Sequence, residues 1–311
     1  MNILISGGSG FLGTAFSEWV HENHNAQVTR ITWLTRNPNQ SHPDYVNTMS
    51  YHELKTTPQT FDVIINLAGE GIADKRWSEE RKQTLFDSRL KPTQAIIEFI
   101  ALTQQRPKLF ISGSAIGWYG TQGDTPLDET SSPEPDFPHR LCDAWEGEAS
   151  IATGMGVPVV VVRTGVVIHP DGGMVARLHT PFKLGVGGKL GDGTQIMSWI
   201  SRADWIRAVW FIIQRHLPNA TNSKAQSADS MAEVSIYNVT APNPVSNRQF
   251  TKAVGDWLNR PTVVTLPSPM LKLMFGEMAT LLIDGQQVLP KHLQASGFEF
   301  EYPTIDKALR V

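Results

Sequence analysis

Gly7, Gly10 and Gly13, spaced three apart in GGSGFLG, are the first residues of this 311-residue chain whose type and spacing suit them to chemistry. Such spacing gives a tight turn, close backbone approach to an anion, and close packing of the next helix on the preceding strand. The free N–H groups of a helix start then hold a pyrophosphate. Gly8, Ser9, Phe11 and Leu12 fill the gaps, so Gly7 to Gly13 is the candidate dinucleotide cradle. A second signal closes the next apolar run, RITWLTRN. A ribose 2′-hydroxyl calls for Asp or Glu there, yet no acidic residue occurs from Asn23 to Pro43. Thr35 and Arg36 take its place. A carboxylate would repel a 2′-phosphate, whereas a guanidinium binds one through two charge-assisted hydrogen bonds. The residue types select NADP(H) over NAD; the bland alternative for Arg36 is a solvated strand-end charge.

These residues need a strand, a turn and a helix around them. Asn2–Ser6 reads as a buried strand, and Phe11, Leu12, Ala15, Phe16, Trp19 and Val20 recur at helical spacing. Further candidate strands are RITWLT, FDVIINLAG, KLFISGSA and VPVVVVRTGVVI, the last a continuous β-branched run suited to cover on both faces. Helix-like stretches lie between them, notably Ser78–Gln105, where Pro92 predicts a kink or break, and Arg140–Thr153. This alternation predicts an α/β protein, a Rossmann-type doubly wound parallel sheet. After a glycine-rich connection from Gly172 come helices near Ala203–Leu217, Ser246–Asn259 and Pro269–Ile283, and a terminal GFEFEYP. They predict a small C-terminal α+β lobe. The polar segment Asn219–Glu233 reads as a mobile surface loop. The expected division is an NADP-binding core over residues 1–170, with further core elements from 200–240, and a mainly substrate-side lobe over 171–311. Ligand is expected where the carboxyl ends of the strands face that lobe. Trp199, Trp205 and Trp210 read as core.

Composition narrows the partners. A net charge of −3 provides no global field for nucleic acid or an anionic membrane. No apolar run reaches membrane-span length, and the chain opens on a core strand, so neither an anchor nor a cleaved signal is expected. A cytoplasmic protein is the simplest reading. A single cysteine, Cys142, precludes an internal disulfide, and none of the nine histidines pairs as H-x-x-x-H, so no metal is expected.

With GGSGFLG, NLAG at Asn66–Gly69 and SGSAIGWYG at Ser112–Gly120, the chain resembles an extended short-chain dehydrogenase/reductase of the epimerase/dehydratase type. NLAGEGIADKRW, SRLKPTQ, CDAWE, PFKLGVGGKLGDG and VLPKHLQASGFEFEYP narrow the resemblance to an atypical epimerase family subgroup with its own C-terminal domain. It runs from Asn2 to about Leu309. The resemblance implies that Gly7, Gly10 and Gly13 cradle the pyrophosphate and that Thr35 and Arg36 take the adenosine phosphate. It also implies that Leu67, Ala68 and Gly69 line the channel toward the nicotinamide, with Val166 beside it. Arg89 matches an Asn of typical members; it pairs with a cofactor phosphate or an acidic substrate, or is a solvated helix charge.

Typical members also carry Tyr-x-x-x-Lys, the Lys lowering the Tyr pKa for proton exchange. Here the matching helix reads FPHRLCDAWEGEA, with Pro138 at the Tyr position and Cys142 at the Lys position, and neither Tyr nor Lys occurs from Thr121 to Gly172. Ser114 matches the family's catalytic serine and is the candidate catalytic residue; it contacts substrate or satisfies backbone at a strand end. Cys142 reads as a packed hydrophobe rather than a proton donor, and Tyr119 as a packing or nicotinamide-side residue. The expected function is an NADP(H)-dependent oxidoreductase or epimerase, monomer or homodimer, acting on an unidentified small molecule without the usual dyad. The alternative is an NADPH-binding regulator with little or no turnover. An orthodox sugar epimerase is disfavoured by Pro138 and Cys142.

Overall fold

The apolar runs pair into one parallel sheet in the computed structural model, which describes residues 1–170, 172–217 and 232–311. Its strands are β1 (Asn2–Ser6), β2 (Arg30–Leu34), β3 (Val46–Met49), β4 (Val63–Asn66), β5 (Leu109–Ala115), β6 (Val159–Thr164) and β7 (Val234–Val239). Their spatial order is β7-β6-β5-β4-β1-β2-β3, with the chain reversing direction beside β1. That reversal is the switch point where α/β sheets bind ligands. Alternation sends side chains to two cores. Ile3, Ile5, Ile65 and Val162 pack with Phe16, Val20 and Trp205 on one face, while Leu4, Ile64, Phe110 and Val161 pack with Ile96 and Phe99 on the other.

The helices are α1 (Phe11–His24), α2 (Tyr51–Thr56), α3 (Glu79–Leu102), α4 (Phe137–Ser150), α5 (Gly173–Lys183), α6 (Arg202–His216), α7 (Asn247–Leu258) and α8 (Ser268–Phe275). Four expectations need correction. The helix containing Pro92 runs through it unbroken. The proline withholds one ladder hydrogen bond, but buried Leu85, Ile96, Phe99 and Ile100 anchor both flanks. The run VPVVVVRTGVVI is two strands. It divides at Gly165, after which Val166–His169 leaves the main sheet and pairs with Trp199–Ser201. A Cβ on Gly165 would stand 2.9 Å from the Ser198 carbonyl oxygen, too close for any other residue. The predicted helix Pro269–Ile283 ends early, at Phe275. Gly276, at φ 60°, turns the chain into the 3₁₀ turn Gly276–Ala279 and a last turn Thr280–Ile283.

The helix expected at Arg140–Thr153 starts earlier, at Phe137, because the Asp136 carboxylate accepts from the His139 N–H at 2.7 Å and Pro138 suits a first turn. Of the polar segment Asn219–Glu233, residues 219–231 lie outside the described residues. In the C-terminal part, Phe182, Phe250, Val254 and Ile305 close a separate core around Trp199. Trp205 and Trp210 are buried in the main core. This part grips the loop after β4 and the first turn of α3: Arg177 pairs with Asp74, and Lys82 with Glu277 at 2.7 Å. Among the described residues, no helix is long and apolar enough to cross a membrane.

Candidate functional site

The glycine turn follows β1 at the switch point. Gly7 has φ 78°, and a Cβ there would stand 2.8 Å from the Leu67 carbonyl and the Ala68 nitrogen. The turn therefore lies directly against the end of β4, which brings Leu67 and Ala68 to the cradle; exposed Gly69 follows. A Cβ on Gly13 would lie 2.5 Å from the Gly7 carbonyl oxygen, so the start of α1 is locked onto the turn. Gly8 packs on the Trp33 ring, Leu12 on the apolar core, and Phe11 against Gly172, while Ser9 and Gly10 are exposed.

The N-terminus of α1, like those of α5 and α8, lacks a side-chain cap. Ser50, Ser78, Asp136, Ser201 and Ser246 cap α2, α3, α4, α6 and α7 with side-chain oxygens. At α1 the cap is Gly10, with no side-chain hydrogen bond and no acidic residue in the first turn. Its leading N–H groups thus await an outside acceptor, and the dipole favours an anion. A dinucleotide pyrophosphate fits this cradle.

At the end of β2, the Thr35 N–H donates to the Met49 carbonyl at 2.9 Å, and the Thr35 hydroxyl accepts from Asn37 N–H at 3.2 Å. Arg36 is exposed and makes no hydrogen bond or ion pair among the described residues. It lies near Tyr51, whose hydroxyl meets Ser6 Oγ at 3.1 Å beside the glycine turn. Burial raises the Tyr51 phenol, opposed by the Ser6 hydrogen bond and the Arg36 charge.

Arg89 projects from α3 over Gly69, where a Cβ would stand 3.1 Å from its guanidinium carbon. It donates to the carbonyls of Leu85 and Glu70 at 3.1 Å and lies 5.3 Å from the Trp145 ring centroid. Burial lowers its pKa, and no carboxylate pairs with it among the described residues. It is a half-buried cation held by carbonyls, not a solvated helix charge.

Ser114 lies at the end of β5. Its hydroxyl donates to Glu146 Oε1 on α4 at 2.5 Å, rather than to backbone. Arg163, opposite Ser114 on β6, grips the same carboxylate: Nε to Oε1 at 3.0 Å and Nη2 to Oε2 at 2.8 Å. The side chains of Arg163 and Glu146 are only 1% and 11% exposed, so neither charge has water to replace its partner. The guanidinium also stacks 3.4 Å from the Trp118 ring centroid. Sequence reasoning did not single out this Ser114–Glu146–Arg163 cluster. The available signal was Arg163 itself, a charge inside the apolar run VVVVRT that demands a buried carboxylate.

On the same helix, Pro138 packs against Gly117: a Cβ there would stand 3.0 Å from the proline Cβ. Cys142 is buried beside Ser114 and Ala115, and its thiol is pushed up to about 11, first by burial and then by the Glu146 charge. Tyr119 is fully buried, and its hydroxyl donates to Asn238 Oδ1 at 2.8 Å. Val166 opens the strand beyond Gly165, opposite Trp199, and is half-buried. The structure thus gathers Gly7, Gly13, Leu67 and Ala68 at one point. Arg89, Trp145, Cys142 and Ser114 form a second group, and Arg36 stands at the end of β2.

The model of the NAD dependent epimerase/dehydratase family matches residues 3–223, and a domain of unknown function matches residues 266–311. An epimerase family protein of Mycobacterium bovis is 36% identical over 308 residues, spanning 99% of this chain and 96% of that protein. The crystal structure of human epimerase family protein SDR39U1 with NADPH superimposes with a TM-score of 0.85 at 28% identity, covering 100% of this chain and 98% of that one. A UDP-glucuronic acid 4-epimerase from Bacillus cereus, in complex with UDP-glucuronic acid and NAD, shares the fold with a TM-score of 0.73 at 16% identity, over 99% of this chain and 96% of that one. The chain belongs to the NAD dependent epimerase/dehydratase family, in the atypical short-chain dehydrogenase/reductase group that its motifs implied.

Proposed function

We propose that this family member binds NADP(H) in preference to NAD(H) and is an oxidoreductase or epimerase acting on a small molecule. The observation that carries the cofactor choice is Arg36, an exposed guanidinium, unpaired among the described residues, at the end of β2 where an NAD site would hold a carboxylate. The human relative solved with NADPH supports the same choice. In this reading Gly7–Gly13 and the open start of α1 bind the pyrophosphate, and Thr35 and Arg36 bind the adenosine phosphate. Leu67, Ala68 and Gly69 line the passage to Val166, Arg89 meets an anionic group, and Ser114 contacts the substrate oxygen. The cofactor, when bound, supplies or accepts hydride. The Tyr-Lys relay of typical members is absent in this reading, since Pro138 bears no proton and burial pushes the Cys142 thiol up to about 11. The protein acts as a cytoplasmic monomer or homodimer, and the charge of −3 gives it no field for a nucleic-acid partner. Fluorescence titration with NADPH and NADH tests the reading: NADPH should bind at least about tenfold more tightly, and equal affinities would overturn it.

The packed proline and high thiol also favour a second reading, an NADPH-binding regulator without turnover. It predicts tight NADPH binding, no consumption of NADPH with any substrate, and a partner that binds only in its presence.

A further inference from the structure

We infer that Ser114 meets its ligand as a hydrogen-bond acceptor, so the group docked on it is an O–H or N–H donor: an alcohol rather than a carbonyl. The inference rests on the proposed cleft, with Ser114 at its substrate end. A serine hydroxyl has one proton and two lone-pair positions. The Ser114 proton is committed, because Oγ donates to Glu146 Oε1 at 2.5 Å. Arg163 is always charged and donates to both oxygens of that carboxylate, so Glu146 is an acceptor toward both of its partners. The other polar neighbour of the hydroxyl is the Cys142 thiol, a weak donor and a weak acceptor. A hydrogen bond to an ionised acceptor is roughly twice as strong as a neutral one, so the carboxylate outcompetes the sulfur for the proton.

Turning that proton toward a ligand carbonyl would give up a charge-assisted bond and leave a nearly buried carboxylate oxygen with one donor fewer. A ligand hydroxyl faces no such conflict. It donates to a Ser114 lone pair while the Ser114–Glu146 bond stays in place. Glu146 and Arg163 are then positioning residues that act through Ser114, fixing which redox form of an alcohol/carbonyl pair the cleft accepts.

Neutron diffraction from hydrogen–deuterium-exchanged crystals of the full chain tests the proton position. Deuterium should lie between Ser114 Oγ and Glu146 Oε1; deuterium aimed into the cleft overturns the inference. This readout does not depend on cofactor occupancy, so its failure is distinct from failure of the NADP(H) reading, which the titrations report. Fluorine NMR with NADPH present then compares two matched probes, a fluorophenyl ethanol and the corresponding fluoroacetophenone. The alcohol should bind at least about tenfold more tightly; an equal response, whether both bind or neither does, overturns the inference. Glu146→Asp draws the carboxylate back by one methylene and keeps its charge. With folding verified by circular dichroism, it should reduce the discrimination to within about threefold, and undiminished discrimination would also count against the inference.

Discussion

At the glycine end of the proposed cleft the fit is made by backbone, whereas at the serine end it is made by buried charge. Gly7 and Gly13 act through atoms they lack, since a Cβ at either would collide with neighbouring main chain. Ser114, Glu146 and Arg163 act through side chains drawn from β5, α4 and β6. A backbone cradle constrains residue type at a fixed spacing in one short stretch. A charge cluster constrains only that partners meet, at any separation along the chain. The two ends should therefore fail differently: the glycine end by losing ligand with the fold intact, the serine end by losing stability first.

The strongest test of that contrast is Glu146→Ala, which leaves the Arg163 charge buried without its carboxylate. It should lower unfolding stability by about 3–5 kcal/mol in urea titrations, the scale for breaking a buried pair. A loss well under 1 kcal/mol would erase the distinction between the two ends. Next comes Gly13→Val, which should weaken NADPH binding at least about a hundredfold, roughly 2.7 kcal/mol, while far-ultraviolet circular dichroism stays unchanged. Normal binding would mean that the turn is not a cradle. Arg36→Asp sharpens the comparison within the cofactor end: it should remove or reverse an NADPH preference of about tenfold, or 1.4 kcal/mol, with no change in melting temperature.

The smallest effect is expected at Cys142. Its thiol, at about 11, lies above the ordinary value of 9.0, so it stays protonated at pH 8 and should resist iodoacetamide until urea unfolds the chain. The sign for stability follows from the same shift. The native state holds the proton longer than the unfolded chain, so this contribution is complete below pH 9 and is lost as pH rises through about 11. Cys142→Ala should flatten that alkaline decline and leave NADPH affinity unchanged. Rapid alkylation of the folded protein at pH 8 would show a thiol with a role beyond packing.

What could be read in the sequence follows the same division. The strand–turn–helix around Gly7–Gly13 was legible because three local requirements coincide within Asn2–Val20. The inner strands β1, β2, β4, β5 and β6 were legible as largely apolar runs, whereas the edge strands β3 and β7, VNTM and VSIYNV, were not, because polar residues interrupt them. The break at Gly165 was not, because β-branched residues continue on both sides and only the approach of the Ser198 carbonyl reveals why the glycine is there. Gly276 was hidden likewise, since the apolar spacing continues past it although the backbone turns. At the serine end, Ser114 was visible as a motif residue, but its partner was not. Glu146 is 32 residues away, brought into reach only when α4 packs across β5 and β6. Nothing local in DAWEGEA marks that carboxylate as buried beside an arginine.

The position of β6 has a consequence for synthesis. In the finished sheet it is covered on both edges, by β5 and by β7. Yet β7 is completed at Val239, 75 residues after β6 ends at Thr164 (239 less 164). At about 5–20 residues per second, the ribosome needs roughly 4–15 s to deliver it. Throughout that interval the nascent chain presents Val159–Val162, four consecutive valines, as an open sheet edge. Such edges recruit other chains, so a polypeptide stalled or truncated before Val234 should aggregate through this strand, while one carrying a lysine at Val161 should remain dispersed.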